Sequence, residues 1–575
     1  MEETLRYLKE TEKWLTATNL DEEIKEELIK TLEPLKAYFY APLSFGTAGL
    51  RGIMRPGINS MNVHTVAQAT QGLANLVIDE KGESRGVVIS YDSRNNSRKF
   101  AETAATVLAA NGIKTYMFNE LHPVPTLSFA VRELKCLAGI MITASHNPKE
   151  YNGYKVYWED GAQLPPEHAD KVSEYINKLD IFNDIKKLDF DEAVKENKIT
   201  IINNDFDEKY LTEVLKQSAN PDAIKAVADS YKVVYTPLHG SGYRLVPEVL
   251  RRLGMKSENI ITVPEQMVLD GNFPTVEKPN PEFKAAFDLG IPLAIKNECD
   301  LIIGTDPDAD RMGIAVRQNN GEYICLSGNQ SGALMLEYII ENRRNKGTLP
   351  SNAAAVKSIV SSNLVTKICE AQNVKLFEVL TGFKFIGEKI KEFEKTGEYS
   401  YILGYEESYG YLAGTYARDK DAVYAAMIIA EMGAYYKAKG MTLYDALLEL
   451  YKKYGYFLDN VFSIRKEGVT AAEDMKKSMA NLRENLPKEI AGVKVCRVRD
   501  YQSGVITDLR TNVEEPTGLP KSNVIYIELE DKSTLVVRPS GTEPIIKLYF
   551  GIPSDNEENA RKKLDTYKDA LVKML

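Results

Sequence analysis

The chain has 575 residues, more than one hydrophobic core usually supports, so we expect three or four domains. Its 82 acidic and 72 basic residues give a net charge of −10, which argues against non-specific binding of polyanions, and we expect no nucleic-acid partner. The hydrophobic content of 44% and the charged content of 27% are typical of a globular protein and exclude a largely disordered chain.

The apolar and cysteine patterns predict the compartment. The longest strongly apolar segment, Ala422–Ala430, ends at Glu431 and is too short to cross a bilayer, and the N-terminus is charged from its second residue. We therefore expect a cytoplasmic protein without a signal peptide or a membrane span. Neither a disulfide framework nor a zinc site is expected, because the cysteines are scattered and never in C-x-x-C spacing. They are Cys136, Cys299, Cys325, Cys369 and Cys496.

In chain order, the first 40 residues predict helices of mixed charge, with apolar residues such as Leu8 and Trp14 at roughly helical spacing. We interpret them as a docking extension. A pattern of strand, polar loop, helix and strand then occurs three times, over residues 86–118, 232–263 and 353–380. Apolar strands that alternate with amphipathic helices predict mixed, largely parallel sheets covered on both faces. Three related α/β domains are therefore expected.

The repeat ends after a predicted helix over residues 442–454. Four further strands are predicted at residues 457–464, 493–499, 524–529 and 534–537, with helices over residues 471–486 and 556–574. This mixture predicts an α+β domain at the C-terminus. The predicted domains cover residues 1–204, 205–326, 327–456 and 457–575, although no long Pro- or Ser-rich linker marks the boundaries.

A polar loop between the apolar run Leu137–Ile142 and the predicted strand Tyr154–Trp158 contains one serine, Ser145. A hydroxyl on such a loop is a candidate nucleophile, but Ser, Asn and Pro are also ordinary turn residues, so a simple chain reversal is the alternative. The neighbouring residue is His146. Adjacent positions are an awkward geometry for a hydrogen-bonded nucleophile and base, and G-x-S-x-G is absent, so a serine hydrolase is disfavoured.

Three aspartates alternate in Asp306-Pro-Asp-Ala-Asp-Arg311, directly after the apolar strand Leu301–Ile303. A tight loop can turn the three carboxylates toward one cation, and ligands that are all oxygen favour Mg²⁺, Ca²⁺ or Mn²⁺. An EF-hand begins with the same spacing but requires glycine at the sixth position and glutamate at the twelfth, where this chain has Arg311 and Arg317. A solvated acidic turn is the other alternative to a metal site.

Three further loops have polar groups suited to binding anions or hydroxyl groups. Arg538-Pro-Ser-Gly-Thr-Glu-Pro544 combines a guanidinium, hydroxyls and a glycine, which suits a phosphate, but it could also be a plain hairpin turn. Glu406-Glu-Ser-Tyr-Gly410 offers carboxylates and a hydroxyl for vicinal sugar hydroxyls, with helix capping as the alternative. Phe45-Gly-Thr-Ala-Gly-Leu-Arg-Gly52 is a weaker candidate for anion binding. Nucleotide-binding fingerprints are absent or incomplete.

Taken in order, T-A-S-H-N-P at 143–148, D-P-D-A-D-R at 306–311, G-Y-E-E-S at 404–408 and R-P-S-G-T-E-P at 538–544 resemble the four signature loops of the α-D-phosphohexomutase family. The resemblance spans nearly the whole chain and is greatest to the phosphoglucomutase branch. It implies four domains around a central cleft, with three homologous mixed-sheet α/β domains and a C-terminal α+β domain, in agreement with the repeats.

The resemblance also implies roles for individual residues. Ser145 would be phosphorylated in the resting enzyme and would bind Mg²⁺ together with Asp306, Asp308 and Asp310. Catalytic residues around the transferring phosphoryl group would be Arg51, His146 and Lys155, besides Ser145. The substrate-binding residues implied are Arg311, Lys384, Glu406, Ser408, Lys420, Arg538, Ser540, Gly541 and Thr542.

The implied reaction is the interconversion of α-D-glucose 1-phosphate and glucose 6-phosphate. Mg²⁺ would be the cofactor, and glucose 1,6-bisphosphate would be the intermediate and activator. A phosphomannomutase or phosphopentomutase with the same mechanism is the first alternative, and a catalytically silent sugar-phosphate sensor is a remote one. The expected partners are small sugar phosphates, without nucleic acid or membrane, and the expected assembly is a monomer or a weak dimer.

Overall fold

The computed structural model describes residues 2–31, 35–46, 49–466, 471–540 and 545–575. The chain divides into two compact units. The first unit contains Met1–Leu326, Gly387–Gly397 and Tyr409–Thr442. The second unit contains Ser327–Ile386, Glu398–Ser408 and Leu443–Leu575. Each unit is described separately.

Three helices begin the chain and confirm the predicted helical extension: α1 (Glu2–Thr16), α2 (Glu22–Lys30) and α3 (Lys36–Phe39). The indole of Trp14 is fully buried, and its ring centroid lies 5.4–5.7 Å from the rings of Phe39, His64 and Phe182. Edge-to-face packing of this kind adds to the free energy gained by burying apolar area. The extension therefore docks on the first sheet domain through one aromatic cluster.

The first sheet domain has six strands in the order β1-β5-β4-β2-β3-β6. Strands β2, β3, β4 and β6 are parallel, whereas β5 is antiparallel to β4 and to β1. Every residue of β2 and β4 is buried, as expected for parallel strands covered by helices on both faces. The elements are β1 (Leu50–Ile53), α4 (Val63–Asp79), β2 (Val87–Tyr91), α5 (Ser97–Ala110), β3 (Thr115–Phe118), α6 (Val124–Glu133), β4 (Ala138–Ile142), β5 (Tyr151–Trp158), α7 (Pro166–Lys178), α8 (Phe190–Lys195) and β6 (Ile199–Ile202).

The second sheet domain repeats this plan with the strand order β11-β10-β9-β7-β8. Strands β7, β8 and β9 are parallel, and β10 is antiparallel to β9 and β11. Thus β9 and β10 correspond to β4 and β5. The elements are α9 (Phe206–Leu215), β7 (Val233–Thr236), α10 (Gly242–Arg252), β8 (Ile260–Thr262), α11 (Pro264–Met267), α12 (Gly290–Asn297), β9 (Leu301–Thr305), β10 (Met312–Arg317) and β11 (Tyr323–Leu326).

In the second unit, the third sheet has β12 between the parallel strands β13 and β14. Helix α16 belongs to the first unit, where it contacts α10 and β9, and it is buried over most of its length. The elements of the second unit are α13 (Gly328–Asn345), β12 (Ala353–Ser358), α14 (Leu364–Gln372), β13 (Lys375–Val379), β14 (Ser400–Glu406) and α17 (Leu443–Tyr454). Helix α15 (Phe383–Thr396) begins in the second unit and continues in the first, whereas β15 (Gly410–Leu412) and α16 (Ala422–Ala438) belong to the first.

The C-terminal part contains an antiparallel sheet in the order β16-β23-β22-β21-β18-β19-β20, with β17 paired to β18. Helix α19 contacts β23, which confirms the predicted α+β character. The elements are β16 (Tyr456–Arg465), α18 (Ala471–Glu484), β17 (Glu489–Ile490), β18 (Val493–Asp500), β19 (Val505–Asp508), β20 (Val513–Pro516), β21 (Ile525–Leu529), β22 (Thr534–Pro539), β23 (Ile545–Ser554) and α19 (Glu557–Val572).

The predicted strand–helix–strand repeats are confirmed, and they place three polar loops at corresponding points. The Ser145 loop joins β4 to β5, the loop of Asp306–Asp310 joins β9 to β10, and Glu407–Tyr409 separates β14 from β15. Open α/β sheets bind ligands beyond the carboxyl ends of their strands. Each repeat therefore presents its polar loop where such sheets bind ligands.

Among the helices that the structure describes, none is both long and apolar enough to cross a membrane.

The aromatic cluster generates a stability prediction. We expect Trp14→Ala to lower the free energy of unfolding by about 3–5 kcal/mol, because a large buried ring leaves a cavity. The urea midpoint, followed by circular dichroism, measures the change. Leu8→Ala on the same helix is the control: Leu8 is 49% exposed, so its replacement should change stability by less than about 0.5 kcal/mol. Equal effects of the two substitutions would contradict docking through Trp14.

Candidate active site

The hydroxyl of Ser145 lies in a tightly shaped loop at the end of β4. Its backbone is left-handed, with φ +53°, and its N–H donates to Thr143 Oγ1 at 2.8 Å. The Ser145 Oγ donates to Asp306 Oδ2 at 3.0 Å and lies 3.1 Å from His146 Nδ1. The segment is thus a turn in which a hydroxyl meets a carboxylate, and the role of Ser145 as a nucleophile stays a prediction.

The expectation that Ser145 and His146 would be badly placed for one another was wrong. Successive side chains of an extended strand point to opposite faces, but the left-handed conformation of Ser145 breaks that alternation. Burial, together with Arg311 and Arg51, holds the pKa of His146 well below its usual range. His146 is therefore a neutral imidazole beside the hydroxyl near pH 7.

The three aspartates after β9 form a buried cluster whose carboxylate oxygens lie within 4.8 Å of one another. Asp306 Oδ1 accepts hydrogen bonds from the N–H groups of Asp310 and Arg311, at 3.1 and 3.0 Å, which fixes the loop. Burial and the neighbouring Asp308 and Asp310 raise the pKa of Asp306 well above its usual range. Burial has the same tendency at Asp308, but Lys155, a hydrogen bond with Asp306 and Lys420 together outweigh it, and the pKa of Asp308 is lowered. The cluster is therefore short of positive charge.

The donor set fits a hard divalent cation. Asp308 Oδ1 and Asp310 Oδ1 are buried and have no hydrogen-bond partner within the described parts of the chain. Buried carboxylate oxygens of this kind are costly unless a donor or a cation compensates them. Because all candidate ligands are oxygens, Mg²⁺, Mn²⁺ or Ca²⁺ suits the cluster, and the acidic-turn alternative does not explain why its carboxylates are buried.

Two lysines from distant segments reach the same carboxylates. Lys155 of β5 has its Nζ 2.8 Å from Asp308 Oδ2 and 3.6 Å from Asp310 Oδ2. Lys420, just before α16, has its Nζ 2.9 Å from Asp310 Oδ2 and 3.2 Å from Asp419 Oδ1. The structure therefore brings Lys155 and Lys420 together with the acidic cluster.

Two arginines border the cluster and the Ser145 loop. Arg51 lies on β1 opposite Gly153 of β5, and its guanidinium donates to Asn147 Oδ1 at 3.1 Å. Arg311 donates to Glu282 Oε1 at 2.7 Å. All the predicted catalytic residues and metal ligands, with Arg311 and Lys420, thus lie in the first unit, where each contacts the Ser145 loop or the acidic loop or belongs to it.

Sequence reasoning missed Asp92 and Arg94, which it treated as part of a plain polar loop. Asp92 Oδ2 accepts a 2.6 Å hydrogen bond from Thr143 Oγ1, and Arg94 donates to the carbonyl of Ser145 at 2.5 Å. A usable signal was present. Both residues directly follow β2, which is the parallel neighbour of β4 in the sheet, so their side chains begin at the same edge as the Ser145 loop.

The predicted sugar-binding residues lie in the second unit. Glu406 ends β14, is buried, and accepts a 2.8 Å hydrogen bond from the Gly382 N–H. Lys384 lies in the first turn of α15, with its Nζ 4.9 Å from the centroid of the Phe385 ring. Ser408 is half-buried two residues after Glu406. These positions are compatible with sugar binding, but the roles stay predictions.

Glu407, which the sequence analysis did not select, accepts a 2.8 Å hydrogen bond from Ser358 Oγ. Burial raises its pKa, against the opposing effect of Arg538 and Lys547. The motif G-Y-E-E-S was the available signal, but it does not show which glutamate contacts which partner.

The predicted phosphate loop begins at the end of β22. Arg538 pairs with Lys547 of β23, and the Ser540 N–H donates to the carbonyl of Ile545 at 2.7 Å, so the hairpin that the sequence left open is present. The two basic side chains therefore start from adjacent positions on neighbouring strands. Gly541 and Thr542 lie outside the described residues.

Family models match most of the chain. Those described as phosphoglucomutase/phosphomannomutase alpha/beta/alpha domains I, II and III match residues 42–181, 208–321 and 327–454, and the one for the C-terminal domain matches residues 479–566. The predicted four-domain boundaries themselves stay a prediction.

Related sequences and folds agree with these models. Proteins named phosphoglucomutase from Staphylococcus haemolyticus and Staphylococcus saprophyticus are 39% and 38% identical, over 92% and 95% of this chain and 94% and 98% of theirs. A putative phosphomannomutase from Thermus thermophilus has a similar fold, with a TM-score of 0.67, 20% identity and coverage of 92% of this chain and 99% of its own. The phosphoglucomutase parafusin from Paramecium has a TM-score of 0.70 and 19% identity, covering 93% of this chain and 95% of its own.

Proposed function

The chain belongs to the phosphoglucomutase/phosphomannomutase family, and we propose that it interconverts α-D-glucose 1-phosphate and glucose 6-phosphate through phosphorylated Ser145. The observation that carries this proposal is the placement of the Ser145 hydroxyl 3.0 Å from a buried triad of aspartates. Glucose is proposed as the hexose because the relatives that are 37–39% identical over at least 92% of this chain bear the name phosphoglucomutase.

The proposed cycle has two phosphoryl transfers. The bond between phosphorus and Ser145 Oγ breaks, a bond from phosphorus to the free hydroxyl oxygen of the sugar monophosphate forms, and the proton of that hydroxyl passes through a nearby base to Ser145 Oγ. The resulting glucose 1,6-bisphosphate turns around, and its other phosphoryl group is transferred to Ser145 Oγ, whose proton passes to the sugar oxygen that is left behind. Phosphoryl transfer depends mainly on positioning and charge stabilisation, so one well-placed serine can serve both directions.

Charge stabilisation is assigned to the basic residues that border Ser145. Arg51 and Lys155 would face the transferring phosphoryl group, and His146, neutral near pH 7, would exchange a proton with the oxygen of Ser145. Mg²⁺ would be held by Asp306, Asp308, Asp310 and an oxygen of phosphorylated Ser145, and it would supply further charge neutralisation.

Substrate binding is assigned to the residues that the family motifs imply. Lys420 and Arg311 would approach the sugar phosphate from the side of the acidic loop. Glu406 and Ser408 would hold vicinal hydroxyls, which must accept the sugar in either orientation. Lys384 would face the substrate, and the phosphate that is not reacting would be held by Arg538, Ser540, Gly541 and Thr542.

The first test is the phosphorylation of Ser145. After incubation with glucose 1,6-bisphosphate and Mg²⁺, we expect the intact mass of the wild-type chain to rise by one phosphoryl group, whereas Ser145→Ala should stay unmodified and lose turnover. Ser230→Ala, at an exposed serine, should behave as the wild type. A wild-type chain that takes up no phosphate, or a Ser145→Ala chain that takes up the same phosphate, would exclude this mechanism.

The metal assignment predicts weaker cation binding after loss of a ligand charge. We expect Asp308→Asn to weaken Mn²⁺ binding, measured by electron paramagnetic resonance of free Mn²⁺, by about tenfold or more, because a charged carboxylate ligand is replaced by a neutral amide. Asp288→Asn removes an exposed carboxylate of the same domain and should leave binding unchanged. Identical affinities of the wild type and Asp308→Asn would rule out a metal at this loop.

The choice of sugar has its own test. Relative kcat/KM values for glucose 1-phosphate, mannose 1-phosphate and ribose 1-phosphate should rank glucose first. Transition-state discrimination appears in kcat/KM, so equal or higher values for mannose or ribose would replace the proposed substrate without changing the mechanism.

A further inference from the structure

The side chain of Arg94 is fully buried and binds four main-chain carbonyls. One terminal nitrogen donates to Pro148 and Tyr151, at 2.9 and 3.1 Å, and the other donates to Ser145 and Asn147, both at 2.5 Å. Three of these carbonyls belong to the loop that carries the proposed nucleophile, and the fourth, that of Tyr151, is at the start of β5, where the loop ends. A planar guanidinium suits this task because it presents its donors in a fixed fork.

A second chain of hydrogen bonds fixes the same loop from its other side. Asp92 accepts from the Arg94 N–H at 3.0 Å and from Thr143 Oγ1 at 2.6 Å, and its carboxylate lies 3.4 Å from Arg94 Nε. Thr143 Oγ1 in turn accepts from the Ser145 N–H at 2.8 Å. The N–H of Ser145 is thus held through Asp92, and its carbonyl is held by Arg94.

These contacts stabilise an unfavourable backbone conformation. The left-handed φ of +53° costs a non-glycine residue about 1–2 kcal/mol, and only surrounding interactions maintain it. That same conformation directs the Ser145 hydroxyl to Asp306 Oδ2, 3.0 Å away. The orientation of the nucleophile therefore depends on groups that do not touch it.

Residues of the second sheet domain cover Arg94. The ring of Phe273 lies 4.9 Å from the guanidinium carbon, in a cation–π contact, and Asn95 donates to Asn272 Oδ1 at 3.1 Å. A Cβ at Gly271 would lie 2.3 Å from the backbone nitrogen of Asn95, so this approach requires glycine. Arg94 thus lies where the domain of Ser145 meets the domain of the aspartates.

We propose that Arg94 is a positioning residue for phosphoryl transfer. It keeps Ser145 Oγ within hydrogen-bonding distance of Asp306 and does not contact the substrate. This inference rests on the proposed function. Lysine would keep the charge but could not bind four carbonyls in one plane, so Arg94→Lys separates geometry from charge.

The test compares Arg94→Lys with the wild type. We expect kcat to fall at least about tenfold, because small misplacements of reacting groups are costly, while KM for glucose 1-phosphate stays within about twofold. The rate at which glucose 1,6-bisphosphate phosphorylates Ser145, followed by intact mass, should fall in parallel. Trypsin should cut faster after Lys149, an exposed residue of the same loop.

Arg85→Lys is the matched control. Arg85 precedes β2, whereas Arg94 follows it, and it also donates to two carbonyls, those of Lys135 and Cys136, both at 3.3 Å. The Arg85→Lys substitution should leave kcat, phosphorylation of Ser145 and cleavage after Lys149 unchanged.

A second variant, Phe273→Leu, keeps the apolar cover over Arg94 but removes the ring face, and we expect a smaller fall in kcat, of about two- to fivefold. It provides the test if Arg94→Lys does not fold.

The outcomes are distinct. A wild-type chain that takes up no phosphate overturns the proposed function and this inference with it. If the wild type is phosphorylated normally, the inference alone is overturned when Arg94→Lys matches it in kcat and phosphorylation. It is also overturned when Arg94→Lys raises KM without lowering kcat, or when Phe273→Leu, used in its place, has wild-type kcat.

Discussion

Three like charges in a buried loop set the main physical constraint on the first unit. At the spacing of Asp306, Asp308 and Asp310, two unit charges repel by about 4 kcal/mol at an effective dielectric constant of about 20, and burial of each ion costs several kcal/mol more. The protein offsets part of this with Lys155 and Lys420, both largely buried. The remaining deficit of positive charge is what makes the loop suitable for a divalent cation.

This constraint explains the long-range organisation of the unit. Lys155 is 153 residues from Asp308 in sequence, and Lys420 comes from a segment beyond the whole third sheet, yet both must reach the acidic loop. Helix α16 fixes Lys420, because the preceding Asp421 caps the helix by accepting from the N–H groups of Val423 and Tyr424. Residues 409–442, which belong to the first unit, thus supply the positive charge of Lys420 as well as the buried helix α16.

Much of the fold could be predicted from the sequence because its signals are local. Alternating apolar strands and amphipathic helices gave the three repeats, and alternate aspartates after β9 indicated the metal loop. The relation of Ser145 to His146 could not be predicted, since it depends on one left-handed residue that is not glycine. Arg94 was missed for a similar reason: its partners are main-chain carbonyls 51 to 57 residues away, which leave no side-chain pattern in the sequence.

The hydrogen bonds that hold the Ser145 backbone bear on the proposed cycle, because its two phosphoryl transfers are not identical. A bisphosphate that turns around presents two different phosphoryl groups in succession, so either the nucleophile or the sugar contacts must adapt. Backbone hydrogen bonds on both sides of Ser145 make the nucleophile the fixed partner. Adaptation then falls to the proposed contacts with the sugar hydroxyls, where a carboxylate can accept, and a hydroxyl can accept or donate, hydrogen bonds in several sugar orientations. In the proposed cycle, a rigid Ser145 loop and tolerant contacts to the sugar are therefore two consequences of the same chemistry.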